Sequence, residues 1–259
     1  MVTGASAGLG LHMSTVLANR QARLVMVARR AEPLQQAADS LNSSDNTLCL
    51  TADVTNQHDV QRVRSTITEK FGRVDLLCNC AGKSTRGAIL ETSAEDFQQL
   101  MDVNFLAAVR MTQAFAPTLI EQQGHVVNIG SLASKLAPRY LGGYPASKFA
   151  LAAYSQQLRM ELGPEGLHTL LVCPGPIARN EEGPRYSEQS RNLPDEANRP
   201  GGGAKLKGID PDWLAGKILD ACEQRKPELV VPWKVRLLCS IAQLSPKLGD
   251  WLLYKSTSG

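Results

Sequence analysis

No sign of charge dominates this sequence: 28 basic residues stand against 25 acidic ones, a formal net charge of +3. That balance removes the electrostatic reason to expect nucleic acid as a partner. With no run of like charge there is no acidic or basic tail either. No apolar run is long enough to cross a bilayer. No signal peptide is expected, since Met1 leads straight into a glycine loop. None of the six cysteines (Cys49, Cys78, Cys80, Cys173, Cys222, Cys239) sits in a CxxC pair. Most lie in apolar, strand-like runs, where a free thiol behaves as a small hydrophobe. A metal site is therefore not expected, and a reducing, cytoplasmic setting is. Internal repeats and low-complexity segments are also missing.

What is present is alternation. With 259 residues, 43% of them hydrophobic, the chain can bury one large core. Strands are predicted at 1–3, 23–28, 47–51, 74–78, 125–130, 168–173 and 228–231. Most are continuous apolar runs, as parallel strands covered on both faces should be. Helices are predicted at 8–20, 33–41, 57–71, 94–121, 144–162 and 211–223. The expected fold is α/β: a doubly wound parallel sheet, Rossmann-like, in a single domain over 1–259. Two regions break the rhythm. Residues 175–207 are polar, rich in Pro and Gly, and leave the carboxyl edge of the sheet, where ligands bind in such folds. A connection this long is expected to be a substrate lid. Residues 232–255 read as two short C-terminal helices divided at Ser245-Pro246. The first strand has room for little more than Met1, Val2 and Thr3. A central strand this short leaves its neighbours' backbone groups unpaired, so either the natural start lies upstream or another segment is expected to cover the gap.

The segment Thr3-Gly4-Ala5-Ser6-Ala7-Gly8-Leu9-Gly10 follows a strand and opens a helix. Free N–H groups and the positive helix end favour a phosphate there, and the glycines let the backbone turn and approach closely. A glycine-rich turn with no ligand is the competing reading. At the end of the second strand stands Val27-Ala28-Arg29-Arg30. Enzymes that use NAD carry an acid here for the ribose 2′-hydroxyl. The acid is absent, and a guanidinium suits a 2′-phosphate instead. NADP(H) is therefore preferred over NAD(H), the alternative being two arginines that merely solubilise a strand end.

Tyr144-Pro145-Ala146-Ser147-Lys148 begins a helix, with Tyr and Lys four apart on one face. A free tyrosine has a pKa of about 10, and a neighbouring ammonium favours its phenolate. The spacing taken alone also describes a surface Tyr–Lys pair.

In its ordered motifs the chain resembles the short-chain dehydrogenases/reductases, in their shorter, single-domain branch. Besides the glycine loop and the Tyr144/Lys148 pair, Asp53-Val54 is similar to that family's adenine-contacting pair, and Asn79-Cys80-Ala81-Gly82 to its NNAG motif. Asn104 matches its helical asparagine, Ser131 follows the fifth strand, and Pro174-Gly175 follows the sixth. The resemblance implies an oxidoreductase that moves a hydride between nicotinamide and a carbonyl or secondary alcohol. Tyr144 would be the acid/base, Lys148 would hold the nicotinamide ribose, Ser131 would bind the substrate oxygen, and Asn104 would support a water relay. Cofactor contacts are expected from Gly4, Ser6, Ala7, Gly8, Leu9, Gly10, Arg29, Arg30, Asp53, Val54, Asn79, Ala81, Gly82, Tyr144, Lys148, Pro174, Gly175 and Ile177. Ser134 and Ser147 compete for the serine role, but the family's spacing favours Ser131. A homodimer or homotetramer is expected, with a small carbonyl or alcohol as partner.

Three features depart from the pattern: Cys80 in place of the second asparagine, Arg179 where many relatives carry a threonine, and the short first strand. The ending 231–238 resembles a tail in relatives that act on steroid-like or lipid-like carbonyls, so a hydrophobic ketone is one expected substrate. Its apolar positions Trp233, Leu237, Ile241 and Leu244 form one helical stripe, read first as core packing or pocket wall. A membrane-surface role is the minor reading. A competing function is a nicotinamide-binding redox sensor without turnover, whose mark would be loss of Tyr144 or Lys148; both are present. A sugar epimerase or dehydratase is disfavoured, because those relatives carry a longer substrate domain.

Overall fold

The computed structural model describes residues 1–41, 46–178, 186, 188–204 and 206–257. Seven parallel strands form one sheet in the order β3-β2-β1-β4-β5-β6-β7. They are β1 (Val2–Thr3), β2 (Leu24–Ala28), β3 (Thr47–Thr51), β4 (Leu76–Asn79), β5 (His125–Ile129), β6 (His168–Pro174) and β7 (Glu228–Val231). The order reverses between β1 and β4, which opens a crevice at the carboxyl edge between them. β2 and β6 are buried along their whole length, as their unbroken apolar runs require.

Helices cover both faces. α1 (Gly8–Asn19), α2 (Ala31–Asp39) and α8 (Pro211–Glu223) pack one face through Met13, Leu17, Leu34, Leu214 and Ile218. α3 (Gln57–Phe71) and α5 (Ala107–Glu121) pack the other through Val60, Val63, Ile67, Met111, Phe115 and Leu119. The α3 ends follow from local chemistry. The Asn56 side chain accepts from the amides of His58 and Asp59, and Gly72 closes the helix at φ +70°.

The predicted helix over 94–121 is in fact α4 (Ala94–Met101), a π-turn at Asp102–Leu106, and α5. The turn is closed by a bond from the Ala107 amide to the Asp102 carbonyl, one residue wider than an α-helical bond. Beyond it, α6 (Tyr144–Leu162) follows β5 through a short 3₁₀ turn at Leu132–Ser134. A single turn, α7 (Pro200–Gly203), lies between β6 and α8, with Gly201 and Gly202 in the left-handed region. α9 (Val235–Leu244) and α10 (Pro246–Thr257) end the described chain, divided where the sequence places the break.

β1 is as short as expected, yet paired on both sides: Val2 with Met26 and Cys78, Thr3 with Val27 and Asn79. Met1 carries the pairing one residue further. Its ammonium donates to the Leu76 carbonyl at 2.8 Å and its own carbonyl accepts from Cys78. Burial lowers that ammonium's pKa. No helix among the described residues is long and apolar enough to cross a membrane.

Candidate active site

The glycine loop runs from the end of β1 into α1, and its shape is held by contacts that leave no room for side chains. A Cβ on Gly10 would lie 2.3 Å from the Gly4 carbonyl oxygen, and one on Gly4 would lie 2.9 Å from the Ala81 backbone. Gly4 also sits at φ +64°, which favours glycine. Beneath the loop, the Thr3 hydroxyl accepts from the amides of Cys80 and Ala81 at 3.1 and 3.2 Å. It thereby ties the loop after β1 to the loop after β4.

The upper side of the loop is open. Ala7 and Gly8 are exposed, and a Cβ on Gly8 would meet nothing within 4 Å. No side chain caps α1, and its first turn holds no acid. Its leading N–H groups are therefore left to an anion, and a dinucleotide pyrophosphate fits them. Ser6 and Leu9 flank this opening, half-buried.

At the adenine end, Arg29 and Arg30 follow β2, exposed and without an ion pair among the described residues. Asp53 follows β3. One of its carboxylate oxygens accepts from the amide and hydroxyl of Thr55 at 2.9 and 2.7 Å, which fixes the turn. Val54 is buried beside it.

Asn79, expected as a cofactor contact, ends β4 beneath the crevice with its side-chain Oδ1 unpartnered among the described residues. Its amide donates to the Asn128 side chain at 2.9 Å, and it is buried between β4 and β5. It acts as a tie inside the sheet. Ala81 and Gly82 stay at the crevice. A Cβ on Gly82 would be 2.8 Å from the Asn104 Oδ1 and 3.7 Å from the Lys148 Nζ.

Tyr144 and Lys148 lie on the first turns of α6. The Lys148 Nζ is 5.8 Å from the centre of the Tyr144 ring. Lys148 is buried, donates to the Ile129 carbonyl at 2.7 Å, and forms no ion pair with a carboxylate among the described residues. Burial pulls its pKa down to about 8. Ser131 caps the 3₁₀ turn. Its oxygen accepts from the Ala133 amide at 3.1 Å, which leaves its hydrogen for an acceptor in the cavity. Ser134 and Ser147 are buried and engaged elsewhere: Ser134 accepts from the Ser131 amide, and Ser147 donates to the Tyr144 carbonyl.

Asn104 sits in the π-turn. Its side chain bonds the amide and carbonyl of Lys83 at 2.8 and 2.9 Å, and the Ser147 hydroxyl at 2.9 Å. It is a positioning residue that fixes the loop after β4 against α6.

Of these groups, Gly82, Ser131, Tyr144 and Lys148 line a cavity of about 830 Å³ at the carboxyl edge of the sheet. Ser131, Tyr144 and Lys148 form one end, beside Gly82, Pro174, Gly175 and Ile177. The rest is largely apolar, walled by Leu132, Leu136, Leu141, Leu206, Leu238 and Leu253. Pro174-Gly175 is anchored by a bond from the Gly175 amide to the Val231 carbonyl at 2.7 Å. The Ala178 amide bonds the Ile209 carbonyl, closing the base of the loop that was read as a lid. Arg179 lies outside the described residues, as do 180–185, 187 and 205 of the same loop.

Arg86 was not foreseen. It is buried in the wall, stacked at 3.8 Å on Tyr186, and donates to the carbonyls of Ala197 and Arg199 at 2.6 and 3.1 Å. An arginine in a polar loop gives no sequence signal of such burial, because its partners lie more than 100 positions away.

Among the described residues, one other group brings ligand-type atoms together: His125, His168 and Cys222, within 4.8 Å at the opposite edge of the sheet. The two imidazole Nδ1 atoms bond each other at 2.9 Å, and burial pushes the Cys222 thiol far up. The His168 Nε2 in turn bonds the Lys226 carbonyl at 2.8 Å.

A family model described as "short chain dehydrogenase" matches residues 1–189. Dehydrogenase/reductase SDR family member 7B of Danio rerio is 32% identical over 246 residues, covering 89% of this chain and 76% of that protein. Ketoacyl reductase HetN of Nostoc is 28% identical, over 96% of this chain and 86% of that one. A short-chain dehydrogenase from Streptomyces avermitilis superposes with a TM-score of 0.79 at 27% identity, covering 98% and 96% of the two chains. A Burkholderia phymatum short chain dehydrogenase/reductase in complex with NAD gives 0.82 at 25% identity, covering 95% and 93%.

Proposed function

Since this chain belongs to the short-chain dehydrogenase family, we propose that it transfers a hydride between NADP(H) and a carbonyl or secondary alcohol on a largely apolar substrate. The observation that carries this reading is the convergence of Tyr144, Lys148 and Ser131 on one largely apolar cavity. The nicotinamide, when bound, supplies or accepts the hydride. Every other requirement falls on the chain. The Ser131 hydroxyl donates to the substrate oxygen and places it beside the Tyr144 phenol. In reduction Tyr144 gives its proton to that oxygen; in oxidation it takes one. Lys148 supports the phenolate through its positive charge and offers its remaining N–H groups to a ribose. Asn104 holds the loop that keeps Lys148 aligned.

Tyr144→Phe should lower kcat to under about a tenth of wild type, a loss of at least about 1.4 kcal/mol of transition-state stabilisation, while cofactor still binds. A carbonyl panel assayed with NADPH, alongside a cofactor titration, checks both halves. Retained turnover would remove Tyr144 from its role, whereas a wild type that binds cofactor but turns over no carbonyl in the panel would leave a cofactor-binding sensor as the better reading.

Cofactor choice rests on Ala28, Arg29 and Arg30. With no acid at the end of β2 and two exposed guanidiniums beside it, a 2′-phosphate is favoured. Solvent screens so exposed a pair, so NADPH is expected to bind roughly tenfold more tightly than NADH, about 1.4 kcal/mol. Arg29→Ala should erase most of that ratio, and equal dissociation constants in the wild type would refute it. A homodimer or homotetramer is the proposed assembly, to be read by sedimentation.

A further inference from the structure

Of the stripe Trp233, Leu237, Ile241 and Leu244, expected to be core or pocket wall, Ile241 is half-buried while Trp233, Leu237 and Leu244 face outward. Their exposures are 74%, 68% and 87%. Trp251 is 56% exposed and Leu248 46% on the neighbouring helix. Six of the eleven large apolar side chains left exposed among the described residues fall in α9, α10 and the residue leading in, Tyr254 being the sixth. The other five, Ile89, Leu90, Phe149, Met160 and Trp213, are spread over the rest of the chain. Single exposed apolar residues need no explanation, but a cluster does.

The outward face cannot turn in, because the inward face is already used. Val235, Leu238, Leu253 and Ser256 line the cavity, Cys239 is buried, and Gly249 packs so closely on Ala242 that a Cβ would be 2.5 Å from its Cα. Each helix is fixed in rotation by these contacts.

Charge identifies what the outer face meets. Between Trp233 and Thr257 stand Lys234, Arg236, Lys247 and Lys255 against one acid, Asp250. All four cations are exposed, and none forms an ion pair among the described residues. Lys255 lies 5.2 Å over the Trp251 ring. Tryptophan beside lysine and leucine on an amphipathic helix is the chemistry of a membrane interface: apolar side chains enter the acyl boundary while the ammonium groups reach the headgroups. A second copy of this chain fits less well. Lysine is depleted from interface cores, and a two-fold axis would bring like charges together.

We infer that the outer face of α9 and α10 docks on an anionic phospholipid surface, with the two helices lying on the bilayer and not crossing it. The inference stands apart from the hydride-transfer reading. It is tested on the full chain by flotation with vesicles of phosphatidylcholine, with and without phosphatidylglycerol. Wild type should float with the mixed vesicles, bind pure phosphatidylcholine roughly tenfold more weakly, and show tryptophan quenching by brominated lipid. Leu237→Ser with Trp251→Ser should weaken binding at least about tenfold with an unchanged melting temperature. Lys234→Glu with Arg236→Glu should remove the dependence on phosphatidylglycerol. No flotation with either vesicle would overturn the inference, and so would flotation that the variants leave intact. A wild-type dimer that the Leu237→Ser/Trp251→Ser variant dissociates would make a second copy the occupant and also overturn it.

Discussion

Lys148 carries a cost that its surroundings do not relieve. It is buried with the Ile129 carbonyl as a hydrogen-bond acceptor and no carboxylate in ion-pair range among the described residues, and its pKa falls from the ordinary 10.5 to about 8. In the unfolded chain the same amine binds its proton more tightly. Between about pH 8 and 10.5 the unfolded state therefore holds more protons than the native one, and stability attributable to this residue rises with pH across that window. Below about pH 8 the burial cost is at its full value. Lys148→Met should accordingly stabilise the ligand-free protein at neutral pH by about 1–3 kcal/mol while abolishing turnover. The gain should shrink as the pH is raised toward 10.5, which melting curves across the range would reveal. A variant no more stable than wild type at neutral pH would mean that Lys148 is solvated in place. Tyr144, Lys148 and Ser131 were legible through the resemblance to the family's ordered motifs, since the Tyr–Lys spacing alone also describes a surface pair, and all three line one cavity. Asn79 and Asn104 were legible only as positions. A motif says where an amide stands along the chain, not which way it turns, and both turn toward protein groups.

Among the elements, all seven strands were readable as apolar runs, and α3, α6 and α8 have the predicted bounds. The helix over 94–121 was not read correctly, for a physical reason. A π-turn adds one residue to one turn, which barely disturbs the apolar pattern on either side while shifting the helix direction at Asn104. The 188–204 stretch was read as polar connection, and its order depends on one distant guanidinium. Arg86 donates to the carbonyls of Ala197 and Arg199 and stacks on Tyr186, so it holds the wall of the cavity from outside that stretch. Arg86→Met keeps much of the volume and removes the donors, leaving the buried Ala197 carbonyl unmatched. The expected loss is about 1–3 kcal/mol, felt locally. It should appear as faster proteolysis within 188–204 and a raised KM with kcat less affected. Unchanged proteolysis would place the order of this stretch elsewhere.

On the scale of the molecule, the doubly wound sheet was foreseeable from the alternation alone, whereas the shape of the cavity was not. Its wall is assembled from side chains that meet only when the chain closes: Arg86 after β4, Leu206 before α8, Val235, Leu238 and Leu253 from the last two helices. The family match ends at residue 189, after every group proposed to handle the hydride and the proton, and before Asn198, Ala204, Leu206 and the C-terminal wall. The molecule thus has a seam. Every group proposed for the chemistry lies on one side of it, and the part of the cavity wall built by 198–257 on the other. A lineage can redraw the second half without disturbing the first, much as a lathe keeps its motor and changes its chuck. Exchanging residues 206–257 for the matching stretch of a relative should therefore shift the order of preferred carbonyls while the pH dependence of turnover stays where it was. Steady-state rates over a set of ketones of increasing length would show whether selectivity and catalysis part along that line.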